Sequence, residues 1–566
     1  MSEELTFSLI DNPWIIVRYL GGEVKEVSLQ TLVDDAKEIE SILGEIPSQA
    51  AAIFRLVLAI ALCSQRMFRA DGSCVPLLTD RWLELWESPE KLGSDMAEYL
   101  AEFRAEFDLF DDERPFMQVP DLHTSKNELS EVVKIMADVP DGERFFTLRH
   151  NEGNKDLSFS EAARWLVHVQ ACDTSGIKSG AVGDPRVKGG KGYPIGTGWL
   201  GQLGFMMIEG ENLAQTLLLN MIPADRYEDV RLEVDDVAAD LASWERDGDT
   251  ALSRGSVSIE EKANNQYEPE VMGPIDLMTW QARRVRLNVE DDRVTGVVLS
   301  QGDRVSPQNK QLLEPMTAWR YSKPQTSKYG YDVYMPKEHY LSQLFWQGLP
   351  AIVAQLSGTV EGRNKEGVPQ FLSAAVIRWM GYLVEEGVIP QSRLLPVHAI
   401  GIAYGPQSAS YGELIDDRLL LPAVLMEANQ REAHNTLDVA FKATDEVVFA
   451  LSQFAVNLKQ ASGAHMLADA VQEIREREAE VSYFELDEAF RGWLTTVGGD
   501  PTEARKKWRQ QLYELVSRRE RELVDRAGPR AVKGTENIDL GKSLVFLRGS
   551  VYKALNRLYE ERKSDE

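Results

Sequence analysis

Between Gly176 and Gly204 the chain reads GIKSGAVGDPRVKGGKGYPIGTGWLGQLG. Glycine recurs every few residues. The cations Lys178, Arg186, Lys188 and Lys191 stand among them, and Asp184 is the only acid. Glycine allows close backbone approach to a ligand and positive φ, and successive exposed N–H groups form an anion-binding concavity. In a chain of formal net charge -28, such a locally basic stretch points to a loop facing phosphate or nucleic acid. The competing reading is a long surface loop whose glycines only serve turns.

Other residues that could do chemistry do so in the wrong context. GTGWLG, Gly196 to Gly201, matches the dinucleotide fingerprint, but a glycine-rich loop precedes it where that motif needs a strand. Lys191 lies in GGKG, with Gly192 where a P-loop places the Ser or Thr that holds Mg²⁺. The histidines (His123, His150, His168, His339, His398, His434 and His465) form no H-x-x-x-H or H-E-x-x-H pair, and no G-x-S-x-G elbow occurs. Asp416-Asp417 could suggest paired metal carboxylates. Neighbouring side chains point apart on regular elements, so a solvated turn or helix start is the expected setting. The balance favours a binding protein over a catalyst.

The elements that must position the loop follow from periodicity. A helix over 160–171, with Ala163, Leu166, Val167 and Gln170, leads directly into it. Upstream, Phe7 to Val17 reads as strand, turn at Asp11-Asn12-Pro13, and strand, and Tyr19 to Val27 as a hairpin about Gly21-Gly22. Ser48 to Met67 is a buried helix, Trp82 to Phe107 one or two more, and Asp141 to Lys155 a polar loop. Val230 to Val271 is acidic and expected to be exposed. Val285 to Leu299 alternates about Glu290-Asp291-Asp292, predicting a hairpin. Trp319 to Pro336 interleaves aromatics with cations, as a single-stranded nucleic-acid surface does and as an ordinary strand pair also does. From about Met426 long amphipathic helices take over, the pattern of an antiparallel bundle.

Composition bounds the rest. With 566 residues, two or more domains are expected. The negative charge disfavours non-specific adhesion to nucleic acid or membrane but leaves room for a locally basic contact surface. Cys63, Cys74 and Cys172 are too few and too scattered for a disulfide framework or a structural zinc site, which fits a reducing cytoplasm. The N-terminus lacks the charged and apolar regions of a signal peptide. The apolar run Leu56 to Cys63 is too short to span a bilayer, so no membrane partner is expected.

FSLIDNPWIIV at Phe7 to Val17, RPFMQV at Arg114 to Val119 and QACDTSGIKSG at Gln170 to Gly180 carry a family likeness in their order and spacing. The chain resembles, over essentially its whole length, CasA, the large subunit of the type I-E CRISPR surveillance complex Cascade. The resemblance implies an α+β fold: a large mixed α/β N-terminal domain, here 1–425, and a C-terminal four-helix bundle, 426–566. It implies a non-catalytic, cytoplasmic subunit without cofactor or metal. Its partners would be double-stranded DNA, guide RNA, the other Cascade subunits and the helicase-nuclease. Such a subunit recognises the protospacer-adjacent motif (PAM), promotes strand separation and R-loop formation, and recruits the helicase-nuclease.

Residue by residue, the family's minor-groove glycine loop falls on Gly176, Ile177, Lys178, Ser179 and Gly180, with Ser179 where a glycine can occur. Its glutamine wedge falls on Gln407, Ser408 and Ala409 in YGPQSAS. Its lysine finger falls on Lys323, with Arg320 as the alternative. Its guide-RNA-proximal loop falls on the segment around Phe146, Arg149 and His150. The cations Arg505, Lys506, Lys507, Arg509, Arg518, Arg519 and Arg521 would hold the displaced strand or a partner subunit. Alternatively, they form a solvated helix face laced with Glu514, Glu520 and Glu522. Two other classes stay open: a nucleotide-dependent enzyme using the glycine-rich loop, and a scaffold with an acidic surface for other proteins.

Without triad, metal or P-loop geometry, the purified chain should show no hydrolytic or redox turnover. Reproducible ATP hydrolysis that vanishes on Lys191→Ala contradicts this reading.

Overall fold

The computed structural model describes residues 5–69, 71, 73–139, 155–254, 268–353 and 367–559. The loop read from Asp141 to Lys155, with Phe146, Arg149 and His150, lies outside the described residues except for Lys155. The fold is α+β, with several small sheets followed by a C-terminal helical region. The chain divides into two compact units. One comprises Met1–Leu341, Gln370–Trp379 and Pro396–Arg418, the other Ser342–Pro369, Met380–Leu395 and Leu419–Glu566.

In the first unit, β1 (Ile15–Tyr19) pairs with β2 (Val24–Val27) and β3 (Ile39–Ile42). Gly22, at φ 85°, turns β1 into β2. The expected strand before Pro13 is reduced to a single bridge from Ser8 to Asp108, because Leu9 to Asn12 fold into the turn instead. Helix α1 (Pro47–Ser64) is apolar on nearly every face and runs through the core. By length and composition it could cross a membrane, but it is 83% buried inside the protein. The one basic residue deep in it, Arg55, meets Glu314 in a two-pronged ion pair at 2.9 and 2.8 Å. Trp199 Nε1–H donates to the same carboxylate at 2.7 Å.

Helix α2 (Phe159–Cys172) begins in a capping box of Ser158 with Glu161, a strong start signal. It packs against α1, where His168 Nε2 lies 3.0 Å from Ser48 Oγ. Next come β4 (Lys178–Ser179), β5 (Lys191–Gly192), β6 (Phe205–Ile208), and the hairpin β7 (Arg283–Glu290) with β8 (Arg293–Gln301). A long ribbon, β9 (Leu394–Tyr404) and β10 (Tyr411–Pro422), joins β6 in the order β10-β9-β6.

The structure corrects two further expectations. The acidic segment from Val230 is not simply exposed: Val230, Leu232, Asp240, Ala242 and Trp244 are buried. Asp240 accepts the N–H groups of Ile275 and Asp276 at 3.2 and 2.8 Å, so this acid serves as an internal cap. Asp416 and Asp417 lie in strand β10 rather than a turn, and Asp416 accepts a hydrogen bond from His398 Nε2 at 2.6 Å.

The second unit contains α3 (Arg431–Ala461), α4 (Ala468–Leu494), α5 (Pro501–Lys533) and α6 (Leu540–Arg557), with α3 packed on the other three. Trp346, Phe441, Phe490, Trp493 and Trp508 form its aromatic centre, with the Trp346 and Phe490 rings 4.1 Å apart. Arg519, read as a candidate for strand or partner contact, is buried and held by Glu478, Glu485 and Glu522. Gly528 at φ 71°, with Pro529 after it, kinks α5.

His168 supplies a pH prediction. Burial pushes its pKa down to about 3, so it is neutral when folded. Unfolded, its pKa returns to about 6.5, so the unfolded state binds the proton first. This contribution is complete above about pH 6.5 and is lost as pH falls toward 3, by up to about 1.4 kcal/mol per pH unit. Urea melts between pH 7 and 4 should show this slope, and His168→Gln should flatten it. An unchanged slope contradicts the assignment.

Candidate nucleic-acid interface

The glycine-rich stretch folds as a narrow hairpin. Lys178 faces Gly192 and Ser179 faces Lys191 across β4 and β5. Its tip is Lys188-Gly189-Gly190-Lys191, closed by reciprocal backbone hydrogen bonds between the two lysines at 3.1 and 3.2 Å. Gly189 and Gly190 take φ 61° and 73°, which a two-residue hairpin turn demands. Both lysines are exposed. At the base, a Cβ on Gly180 would sit 2.6 Å from Val187 Cγ1 and 2.7 Å from the Gly190 carbonyl. Glycine there is a packing requirement, and the buried Gly180 N–H is used by Gly190 O at 3.0 Å.

The cations divide into two kinds. Arg186 is buried against Asp184 and the carbonyl oxygens of Gln301 and Gly302. Lys178 Nζ lies 2.7 Å from Asp173, with side-chain exposures of 9% and 3%. Arg283, fully buried, shares Asp173 and donates to the carbonyl oxygens of Thr174 and Gly196 at 2.7 and 2.9 Å. Burial raises the Asp173 pKa, and the charges of Lys178 and Arg283 outweigh it, leaving the carboxyl below its usual range. The Lys178 pKa is lowered, first by burial and then by Arg283, against the opposing pull of Asp173. The Lys178 ammonium therefore turns inward, which leaves Gly176, the exposed Ile177 and Ser179 to meet a ligand. Positive charge at the surface comes from Lys188 and Lys191.

The segment Gln407–Ala409 forms the turn at the end of the β9–β10 ribbon. Gln407 and Ser408 both hold left-handed φ, 58° and 54°, a conformation that costs non-glycine residues about 1 kcal/mol or more each. The turn is closed by Ser408 N–H to Gly405 O at 2.9 Å and Gly405 N–H to Ser410 O at 3.0 Å. Tyr404 anchors its base: the hydroxyl donates to Cys172 O at 2.6 Å, and the ring lies where a side chain at Gly201 would be. Gln407 itself is exposed.

The structure brings these two segments together. Ser175 N–H donates to Ser408 O at 2.7 Å. A cleft of about 170 Å³ between them is lined by Thr174, Gly176, Lys178, Ser179, Ala409 and Tyr411, among others. Gln301 steadies the loop through Gly176 O at 3.0 Å, and Ser300 through Ser179 O at 2.5 Å. Sequence reasoning missed Arg283, Ser300 and Gln301, whose partners between Asp173 and Ser179 lie over a hundred residues away. The one local signal was a pair of arginines, Arg283-Arg284, opening a strand that alternates apolar and polar residues. Lys323 is exposed at the first position of a short helix, Lys323–Tyr329, between the paired strands Trp319–Tyr321 and Tyr334–Pro336. Arg320 is half-buried in the first of those strands.

At the root of the ribbon, His398 lies between Glu209 and Asp416. Burial lowers its pKa, but the two carboxylates outweigh burial and leave it raised. The fingerprint GTGWLG is no nucleotide loop. A Cβ on Gly198 would lie 2.4 Å from the Ala171 carbonyl, and the motif ends in a three-residue 3₁₀ turn before β6. That turn gives no helix N-terminus for a pyrophosphate.

The family model for CRISPR-associated protein Cse1 matches residues 8–518. The CRISPR-associated protein CasA/Cse1 of Thermus thermophilus is 29% identical over 317 residues, 56% of this chain and 55% of that protein. The match thus spans about half the length of that relative. The crystal structure of Thermobifida fusca Cse1 superposes with TM-score 0.84 at 37% identity, covering 98% of each chain. A chain of a CRISPR RNA-guided surveillance complex shares the fold at TM-score 0.64 and 17% identity, covering 98% of this chain and 100% of that one. The match across nearly the whole length, in sequence and in fold, means that the chain belongs to the CRISPR-associated Cse1 family.

Proposed function

We propose that this chain is the large subunit of a cytoplasmic type I-E Cascade complex, acting with guide RNA and the other Cascade subunits. In this reading it recognises the PAM in double-stranded DNA, promotes strand separation and R-loop formation, and recruits the helicase-nuclease. The carrying observation is the Ser175 N–H to Ser408 O hydrogen bond, which joins the glycine hairpin to the strained turn. Both segments are surface features of one unit.

The physics of each part suits the role. The minor groove separates A·T from G·C only coarsely, so short backbone and small side-chain contacts from Gly176 to Ser179 suit a reader that tolerates several PAMs. Lys188 and Lys191 at the hairpin tip suit phosphate contact, and Lys323 suits a third point. Gln407, exposed at a turn already fixed in left-handed φ, has little backbone freedom left to lose on insertion. Unstacking a base step costs a few kcal/mol, and a rigid wedge seated on Tyr404 can hold the step open. Opening at that step nucleates pairing of guide with target.

The inward turn of Lys178 alters which variants are informative. Replacing it with Asp would set a second carboxylate beside buried Asp173 and disrupt the fold. Lys188→Ala with Lys191→Ala should leave the fold intact and weaken target binding by the assembled complex. Its plot of log affinity against log salt should become shallower by about 0.9 per lost phosphate contact. An unchanged slope removes the hairpin tip from the DNA surface.

Gln407 should govern opening more than holding, because its uncharged amide adds little to the phosphate term. Gln407→Ala with Ser408→Ala should slow R-loop formation on a fully paired target and be nearly normal on one with a pre-melted bubble beside the PAM. An equal defect on both substrates means that the turn binds without wedging. No defect on either means that the wedge lies elsewhere.

A further inference from the structure

Away from the hairpin and wedge, the first unit contains a cleft of about 430 Å³ lined by the RPFMQ stretch, Arg114 to Gln118, and by Ser243, Trp244 and Gly248 to Thr250. This volume lies within the range of small-ligand sites. Its lining carries Glu106, Glu113, Asp121 and Asp249 against a single cation, Arg114. That cation is already engaged: Nη1 pairs with Glu106 at 3.3 Å, and Nη2 donates to the carbonyl oxygens of Trp244 and Arg246 at 3.3 and 2.7 Å.

Two observations go beyond the acidic lining. Gln281, only 7% exposed, lines the cleft, and its buried Oε1 accepts no hydrogen bond. Asp249 Oδ2 is also buried and accepts no hydrogen bond; its nearest cation, Arg284, stands 3.7 Å away with donors directed at Asp303 and three backbone carbonyls. A buried acceptor left without a donor is costly, so each is a place where a ligand donor would be gained. Phe116 and Trp244 add aromatic surface, their rings 6.3 Å apart and inclined by 28°. Aromatic faces attract cations, and Trp244 Nε1–H is taken by Tyr99, so no donor from that ring competes.

The geometry points to a binding site for an organic cation with a guanidinium or primary ammonium head. Its donors would satisfy Gln281 and Asp249, its stem would lie on Phe116 and Trp244, and Glu113 and Asp121 would supply attraction at the rim. A free polyamine and an arginine or lysine side chain of an associated protein share this chemistry.

Isothermal titration calorimetry on the full chain tests it, with spermidine in one arm and acetyl-Gly-Arg-Gly-amide in the other. Acetyl-Gly-Leu-Gly-amide serves as the uncharged control. Saturable binding of spermidine alone marks a polyamine site, and binding of the arginine peptide marks a side-chain site; both support the inference. Gln281→Leu, and separately Glu113→Gln with Asp121→Asn, should weaken binding at least about tenfold with unchanged thermal melts. The rim pair decides the matter if Gln281→Leu melts early. No saturable heat from either cation up to millimolar concentration, equal binding by the leucine peptide, or full affinity in the rim variant would overturn it.

Discussion

The contact on which the rest depends is the buried triad of Arg283, Asp173 and Lys178. One carboxylate at the end of α2 is shared by two cations, all three nearly inaccessible to water. Arg283 also reaches the carbonyl oxygens of Thr174 and Gly196, so a single side chain on β7 fixes both ends of the glycine hairpin. Buried charges carry a desolvation penalty that a good ion pair only partly returns. What this triad supplies is position. Removing one partner of such a pair typically costs about 3–5 kcal/mol, because the remaining charge is stranded. Because β4 and β5 are two residues each, the chain from Asp173 to Gly196 relies on such side-chain anchors, with Ser300 and Gln301 holding Ser179 O and Gly176 O and Arg186 reaching the Gln301 and Gly302 carbonyls.

Position matters because the hairpin's neighbour is strained. Gln407 and Ser408 keep left-handed φ at the end of a long ribbon, where glycine or asparagine would be less strained. Pro406 limits the entry to the turn, and Tyr404 and Tyr411, with rings 5.8 Å apart, pack beneath it. The Ser175 to Ser408 hydrogen bond then makes the turn continuous with the braced hairpin. Minor-groove reading and base-pair opening, as proposed above, thereby share one rigid support. On this account, a mismatch felt by the hairpin would reach the wedge directly.

Much of the fold was legible because it rests on local periodicity. The core helix over Pro47–Ser64, the hairpin around Asp291-Asp292 and the long C-terminal helices all follow from apolar spacing. Within the C-terminal unit, Val447, Leu451, Phe454 and Leu458 are buried as one face. What was not legible depends on partners distant in sequence. Lys178 reads as a free cation until Asp173 and Arg283 are placed beside it. Arg519 likewise reads as a surface charge until Glu478 meets it across α4 and α5. Asp416 lies in a strand, where its carboxylate meets His398, a partner that no local propensity signals. The contact between YGPQSAS and the glycine hairpin joins segments more than two hundred residues apart, beyond any pattern of short range.

The central claim is that hairpin and turn form one mechanical body braced by Arg283. Hydrogen exchange followed by mass spectrometry on Arg283→Met tests it most directly, with the C-terminal helices as internal reference. The account predicts that peptides covering 173–180 and 404–411 lose protection together while those from α3 to α6 keep theirs. Loss of protection in 173–180 alone, or in neither segment, would contradict it.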